Sequence, residues 1–179
     1  MARIIAIANQ KGGVGKTTTS VNLASCVAAA GRRVLLIDSD PQGNATSGLG
    51  VDKNRIDVST YDVFINEREM ADAVRPTMID TLWLVPANIE LAGAEVELVT
   101  MMAREQVLKN ALRSVRDGYD YIFIDCPPSL GLLTLNALNA ADTLLVPIQC
   151  EFYALEGLSQ LMNTVRLLRK NLNPALGVE

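Results

Sequence analysis

Asn9-Gln10-Lys11-Gly12-Gly13-Val14-Gly15-Lys16-Thr17-Thr18 lies between a short β-branched run, Ile4-Ile5-Ala6-Ile7-Ala8, and a helix-forming stretch from Thr19 to Ala30. Strand, glycine-rich loop and helix in that order are the setting a phosphate-binding loop requires. Glycines let the backbone turn tightly and aim several N–H groups at one point. The start of the helix adds unpaired N–H groups and the positive end of its dipole. Lys16 supplies a full charge for the outer phosphates, and the Thr17 hydroxyl is placed to ligate Mg²⁺.

The general pattern G-x-x-x-x-G-K-[ST] would put its first glycine at position 10, where this chain has Gln10. It carries instead a second lysine, Lys11, before the double glycine. Because Lys16 already serves the phosphates, Lys11 reads as a cation reaching developing negative charge, in its own site or in a partner's. The alternative is a solvated loop lysine.

A chain of 179 residues suggests one domain with a real core. Apolar residues make up 49% and charged ones 20%, as in ordinary globular proteins. The net charge of −4 does not mark a nucleic-acid binder by bulk electrostatics. Cys26, Cys126 and Cys150 are widely spaced and histidine is absent, which argues against a zinc site, a histidine base or a disulfide framework. Reduced cytosolic thiols packed as small hydrophobes are the expectation. No apolar run approaches the roughly 20 residues that span a bilayer.

Along the chain, helix 16–30 presents Val21, Ala24, Val27 and Ala28 on one stripe and ends at Gly31. Val34-Leu35-Leu36-Ile37 reads as a strand buried on both faces. Residues 45–60 show no period. Short helices are expected at 61–65 and 70–74, a strand at 81–85, and helices over 89–102 and 104–115. A strand at 121–124, a helix at 130–140, a strand at 143–146 and a long helix from Tyr153 to Leu172 follow. The alternation predicts an α/β fold, a mostly parallel sheet with helices on both faces. A strand should begin where the chain stops, so the sequence reads as the N-terminal portion of a longer domain.

Two acidic loops leave the ends of buried strands, at the edge where open α/β sheets bind ligands. Asp125 follows Tyr121-Ile122-Phe123-Ile124 and is placed to hold a Mg²⁺-bound water beside Thr17. The alternative for it is a cap on the helix near Leu130. Asp40, in Asp38-Ser39-Asp40-Pro41-Gln42-Gly43-Asn44, is the candidate for orienting an attacking water. Asp38 is open between a functional and a structural role, and both acids could instead form an Asx-turn at Pro41. Arg166, Arg169 and Lys170 suit the C-terminal dipole of the last helix, with a phosphate-backbone contact as the alternative.

These segments, with Ala45-Thr46-Ser47-Gly48-Leu49-Gly50, Cys126-Pro127-Pro128-Ser129 and Pro147-Ile148-Gln149-Cys150-Glu151-Phe152-Tyr153-Ala154-Leu155-Glu156-Gly157, resemble the ParA/Soj-type chromosome or plasmid partition ATPases. That family is the deviant Walker-motif branch of the P-loop NTPases. The likeness runs essentially the whole length. The resemblance implies that Lys11, Gly12, Gly13, Val14, Gly15, Lys16, Thr17 and Thr18 bind ATP. It implies that Thr17 and, through water, Asp125 hold Mg²⁺, and that Lys11, Lys16 and Asp40 serve hydrolysis. Lys11 would cross an ATP-dependent homodimer to the partner's nucleotide. Non-specific DNA, bound mainly through residues beyond this chain, and a ParB-type centromere-binding protein are the implied partners. A cytoplasmic, nucleoid-associated protein without stable membrane association is implied. Three alternatives are a MinD-like regulator, which needs an amphipathic C-terminal helix, a module that binds nucleotide without turnover, and a ligase-like transferase, against which Asp40-Pro41-Gln42-Gly43-Asn44 argues.

Overall fold

The computed structural model describes residues 1–149 and 154–179, with side chains throughout except at 154–156. Its strands are β1 (Arg3–Ile7), β2 (Val34–Asp38), β3 (Arg75–Pro76), β4 (Leu82–Val85), β5 (Tyr121–Asp125), β6 (Thr143–Leu145) and β7 (Gly177–Val178). They form one sheet in the order β3-β4-β2-β5-β1-β6-β7. All neighbours are parallel except β3 and β4. The short β3 ends in Pro76, which an edge strand tolerates because one side makes no ladder.

Central strands rich in Ile, Leu and Val are apolar on both faces because helices cover both. Ile5, Ile7, Leu36 and Phe123 point to one side, where they meet Ala24 and Ala28 of α1 (Lys16–Ala29) and Ala45 of α2 (Asn44–Gly48). Ile4, Ala6, Leu35, Ile122 and Ile124 point to the other. That side packs against α3 (Thr60–Ile65), α4 (Met70–Ala73), α5 (Leu91–Glu97), α6 (Val107–Ala111), α7 (Leu132–Ala140) and α8 (Ala154–Asn171).

The crossover β1-α1-β2 passes over β5 on one face, and β5-α7-β6 passes over β1 on the other. The winding reverses between β1 and β5, which opens a crevice at the carboxyl edge. Register makes the edge even. Ile7 lies opposite Asp125, and Asp125 lies opposite Asp38. The loops after β1, β2 and β5 therefore start abreast.

The expected parallel α/β architecture is present, and several local expectations need correction. Residues 45–60, which show no period, hold most of α2 (Asn44–Gly48) and a 3₁₀ turn at Lys53–Arg55. The helices expected over 89–102 and 104–115 are broken. α5 covers only Leu91–Glu97 before a 3₁₀ turn at Leu98–Thr100, and α6 only Val107–Ala111 before another at Leu112–Ser114, while Ala103 at φ 52° lies at the break expected between the two. The cause is α7. Asn136 accepts from the Leu108 N–H at 3.2 Å and donates to the Arg104 carbonyl at 2.8 Å, and Asn139 donates to the Glu105 carbonyl at 2.7 Å. These bonds satisfy backbone groups that a continuous helix would have paired internally.

Cys26 is exposed on α1 rather than packed, whereas Cys126 is buried. Cys150 and the expected helix start at Tyr153 lie outside the described residues. Leu161, Val165 and Leu168 of α8 are buried as their spacing required. Arg169 bonds the Leu176 carbonyl at 2.7 Å, tying α8 to the start of β7. Among the described residues, no helix is long and apolar enough to cross a membrane.

Gly43 opens α2 in a left-handed conformation at φ 59°. A Cβ there would lie 2.6 Å from the Ala87 carbonyl oxygen, a backbone atom that cannot swing away. Gly43→Ala is expected to destabilise the fold by at least about 1–2 kcal/mol, the cost of the left-handed conformation alone. Urea unfolding followed by circular dichroism measures it.

Candidate functional site: a phosphate loop facing two acidic loops

The loop after β1 turns through Gly13 at φ 73° and Gly15 at φ 87°, conformations that favour glycine. A Cβ at Gly12, Gly13 or Gly15 would meet nothing within 4 Å, so their backbone borders open space. Asn9 pins both sides of the loop. It accepts from the Lys11 N–H at 3.1 Å and donates to the Pro147 carbonyl at 2.8 Å. Gln149 donates to the Gly13 carbonyl at 3.2 Å.

Gly12, Gly13, Gly15, Lys16, Thr17, Thr18 and Asp40 line one cleft of about 340 Å³, together with Gln42, Asn44 and Pro128. Val14 does not line it and is buried beneath the loop. The Lys11 side chain is not part of the lining either, although its carbonyl accepts from Lys16 Nζ at 3.0 Å. Lys16 is only 6% exposed. Burial lowers its pKa, and the Asp125 and Asp40 carboxylates oppose that shift.

Asp125 lies under the cleft and is fully buried. Burial pushes its carboxyl up to about 6, the Ser20 and Thr17 hydroxyls pull it down, Asp40 raises it and Lys16 lowers it. One oxygen, Oδ1, lies 2.8 Å from Ser20 Oγ. The other, Oδ2, is buried with no hydrogen-bond partner. A buried carboxylate oxygen left unpaired is costly unless a ligand takes it. With the nearby Thr17 hydroxyl, it forms a donor set that fits a hydrated Mg²⁺, which prefers few protein oxygens and several waters. Asp125 does not cap α7. That role falls to Glu95 of α5, which accepts from the Leu132 N–H at 2.8 Å and the Leu133 N–H at 3.3 Å.

The two acids of the first loop have separate surroundings. Asp40 lines the cleft and accepts from the Gln42 N–H at 2.9 Å. Asp38 is fully buried and organises the loop. Its Oδ2 accepts from the Thr46 N–H at 2.8 Å and the Thr46 hydroxyl at 2.7 Å, and its Oδ1 from the Asp40 N–H at 3.2 Å. Thr46 Oγ1 in turn accepts from the Ala87 N–H at 2.9 Å, joining this loop to the one after β4.

Sequence reasoning passed over Ser20, Thr46 and Glu95. The available signal was polarity in the wrong place: Ser20 falls on the same face of α1 as Ala24 and Ala28, where an apolar residue would pack.

Residues 2–178 match a family model described as an AAA domain. The sporulation initiation inhibitor protein Soj of Bacillus subtilis is 59% identical across the whole of this chain, which covers 71% of Soj. The chain belongs to the ParA/Soj family of partitioning ATPases. The chromosome partitioning protein ParA of Myxococcus xanthus is 57% identical, and the chain spans 63% of its length. A solved structure named cobyrinic acid a,c-diamide synthase, from Mycobacterium smegmatis with bound ADP and magnesium, superposes with a TM-score of 0.95 at 45% identity. That superposition covers 99% of this chain and 72% of the other.

Burial pushes the Asp38 carboxyl up to about 7, the Thr46 hydroxyl opposes the shift, and the Asp125 charge adds to it. In the folded protein Asp38 keeps a proton that the unfolded chain releases above about pH 4. Folding therefore takes up a proton between about pH 4 and 7, so stability of the ligand-free protein falls as pH rises through that window. Melting temperatures should decline from pH 4 to 7, and Asp38→Asn should reduce the slope, leaving the part that the raised Asp125 carboxyl contributes up to about pH 6.

Proposed function

We propose that the chain binds ATP with Mg²⁺ at this cleft, hydrolyses it, and thereby switches a DNA-partitioning protein between two states. The observation that carries this reading is the convergence of Gly12, Gly13, Gly15, Lys16, Thr17, Thr18 and Asp40 on one cleft, with the unpaired oxygen of Asp125 beneath it. Nucleotide and magnesium in the Mycobacterium smegmatis structure support the choice of ligand.

In this reading the glycine N–H groups and Thr18 hold the phosphates. Lys16 leaves the Lys11 carbonyl to neutralise them, and its partial desolvation strengthens the pairing. Thr17 and Asp125 hold the metal, Asp125 through water. Bound Mg²⁺ would offset the charge that builds on the phosphate oxygens. Asp40 orients the attacking water. Its backbone is fixed by Asp38, so its carboxylate needs little rearrangement to act.

Lys11 serves a second copy of the chain. Its side chain lies outside the lining of its own cleft, which Lys16 already serves. The ATP-bound dimer would then bind DNA without sequence preference, through surface that includes residues beyond this chain. A ParB-type protein would trigger hydrolysis and release. The intact protein would work in the cytoplasm on the nucleoid. The Soj and ParA names of relatives at 59% and 57% identity support the partitioning role.

A second reading is an ATP-dependent synthase that activates a carboxylate, which the name of the Mycobacterium smegmatis structure favours. It requires ATP turnover to depend on an acceptor acid rather than on DNA and a centromere-binding protein.

Lys16→Ala should abolish ATP binding in a fluorescent-nucleotide titration; unchanged affinity would refute the site. In the intact protein, Asp40→Ala should give a dimer with ATP that turns over at least about tenfold more slowly. Lys11→Ala should still bind ATP yet stay monomeric on size exclusion with light scattering. A wild-type protein that remains monomeric with ATP would exclude the role given to Lys11.

A further inference from the structure

The site's metal arm depends on a single carboxylate whose two oxygens differ in their surroundings. Asp125 Oδ1 lies 2.8 Å from the Ser20 hydroxyl, while Oδ2 is buried and unpaired. Ser20 itself is fully buried on α1, four residues after Lys16 and three after Thr17. Its Oγ also lies 3.0 Å from the Lys16 carbonyl, but the hydroxyl has only one proton to donate. A charged carboxylate is the stronger acceptor of the two.

The terminal torsion of an aspartate is broad and roughly two-fold, so the backbone of β5 does not by itself decide which way the carboxyl plane faces. Asp125 sits among three groups that could turn it: the Lys16 ammonium, the Thr17 hydroxyl and the Asp40 carboxylate. A donor committed to Oδ1 from within the helix that carries Lys16 and Thr17 settles the matter.

From this geometry we infer that Ser20 is a positioning residue for the metal site, fixing the Asp125 carboxylate so that Oδ2 is the oxygen presented to the hydrated cation. The inference rests on the reading of Asp125 as a metal-holding residue. Ser20 touches neither nucleotide nor metal. It links the helix that ends the phosphate loop to the strand that carries the acid, so the two halves of the site keep one spacing. Alanine at position 20 would remove the 2.8 Å partner of Oδ1 and leave the carboxyl plane to the neighbouring Lys16 and Thr17.

The test compares ATP affinity with excess Mg²⁺ and with EDTA in the intact wild-type protein, Ser20→Ala and Asp125→Asn, by isothermal titration calorimetry or a fluorescent ATP analogue. The ratio of the two affinities isolates the metal's contribution from that of the phosphate loop. Ser20→Ala should reduce this ratio by about tenfold, the size of one hydrogen bond to a charged group. Asp125→Asn should reduce it further. An unchanged ratio in Ser20→Ala with a lost ratio in Asp125→Asn overturns the inference and leaves the metal reading intact. An unchanged ratio in both overturns the metal reading and the inference with it. An equal loss of affinity with and without Mg²⁺ in Ser20→Ala marks a purely structural role and also overturns it.

Discussion

The parallel register that sets Ile7, Asp125 and Asp38 side by side is the constraint on which the rest of this structure depends. Each residue ends its strand, and each strand releases a loop of different chemistry at that edge: glycines and lysines from β1, acids and amides from β2, and an acid followed by two prolines from β5. A slip of one residue in any of these pairings would exchange the side chains packed against the two helical layers and move the loops off one level. The two-sided packing of Ile4 to Ile7 and Ile122 to Ile124 thus holds the site as well as the core. Packing sets the register, and the register sets the chemistry.

Burial then gives the charges their properties. Three carboxylates and one ammonium meet at the sheet edge, and Asp38, Asp125 and Lys16 are largely withdrawn from water. Desolvation moves all three toward their neutral forms. Asp38 accepts three hydrogen bonds and holds the first loop and α2. Asp125 keeps one oxygen unpaired. Asp40, two residues from Asp38, faces the cleft. The division of labour between these acids follows from where each side chain's partners lie rather than from residue type.

Much of this was legible in the chain before folding. The strand, loop and helix around Lys16, the acids at strand ends and the parallel α/β class all follow from local pattern. The bounds of α1, β2, β5 and α7 lie within about two residues of expectation, because β2, β5 and α7 are strongly apolar runs and α1 starts at the glycine loop and stops at Gly31. The failures were of another kind. The stretches 89–102 and 104–115 read as two helices, yet Asn136 and Asn139 of α7 take backbone groups of Arg104, Glu105 and Leu108, and the second begins only at Val107. The short α2 has no period to detect and is held by a carboxylate eight residues earlier.

The sequence by itself determined which residues could bind phosphate, because glycines, lysine and threonine in that spacing act through their own backbone and immediate neighbours. It left Asp38 open between function and scaffold, and it offered a helix cap as an alternative for Asp125. The tertiary structure decided both, assigning Asp38 to Thr46 and the cap of α7 to Glu95. It also brought Ser20 against Asp125 across 105 positions of chain. Pairings of that range depend on strand order and helix placement, which arise from burial summed over the whole core and leave no mark in any one segment.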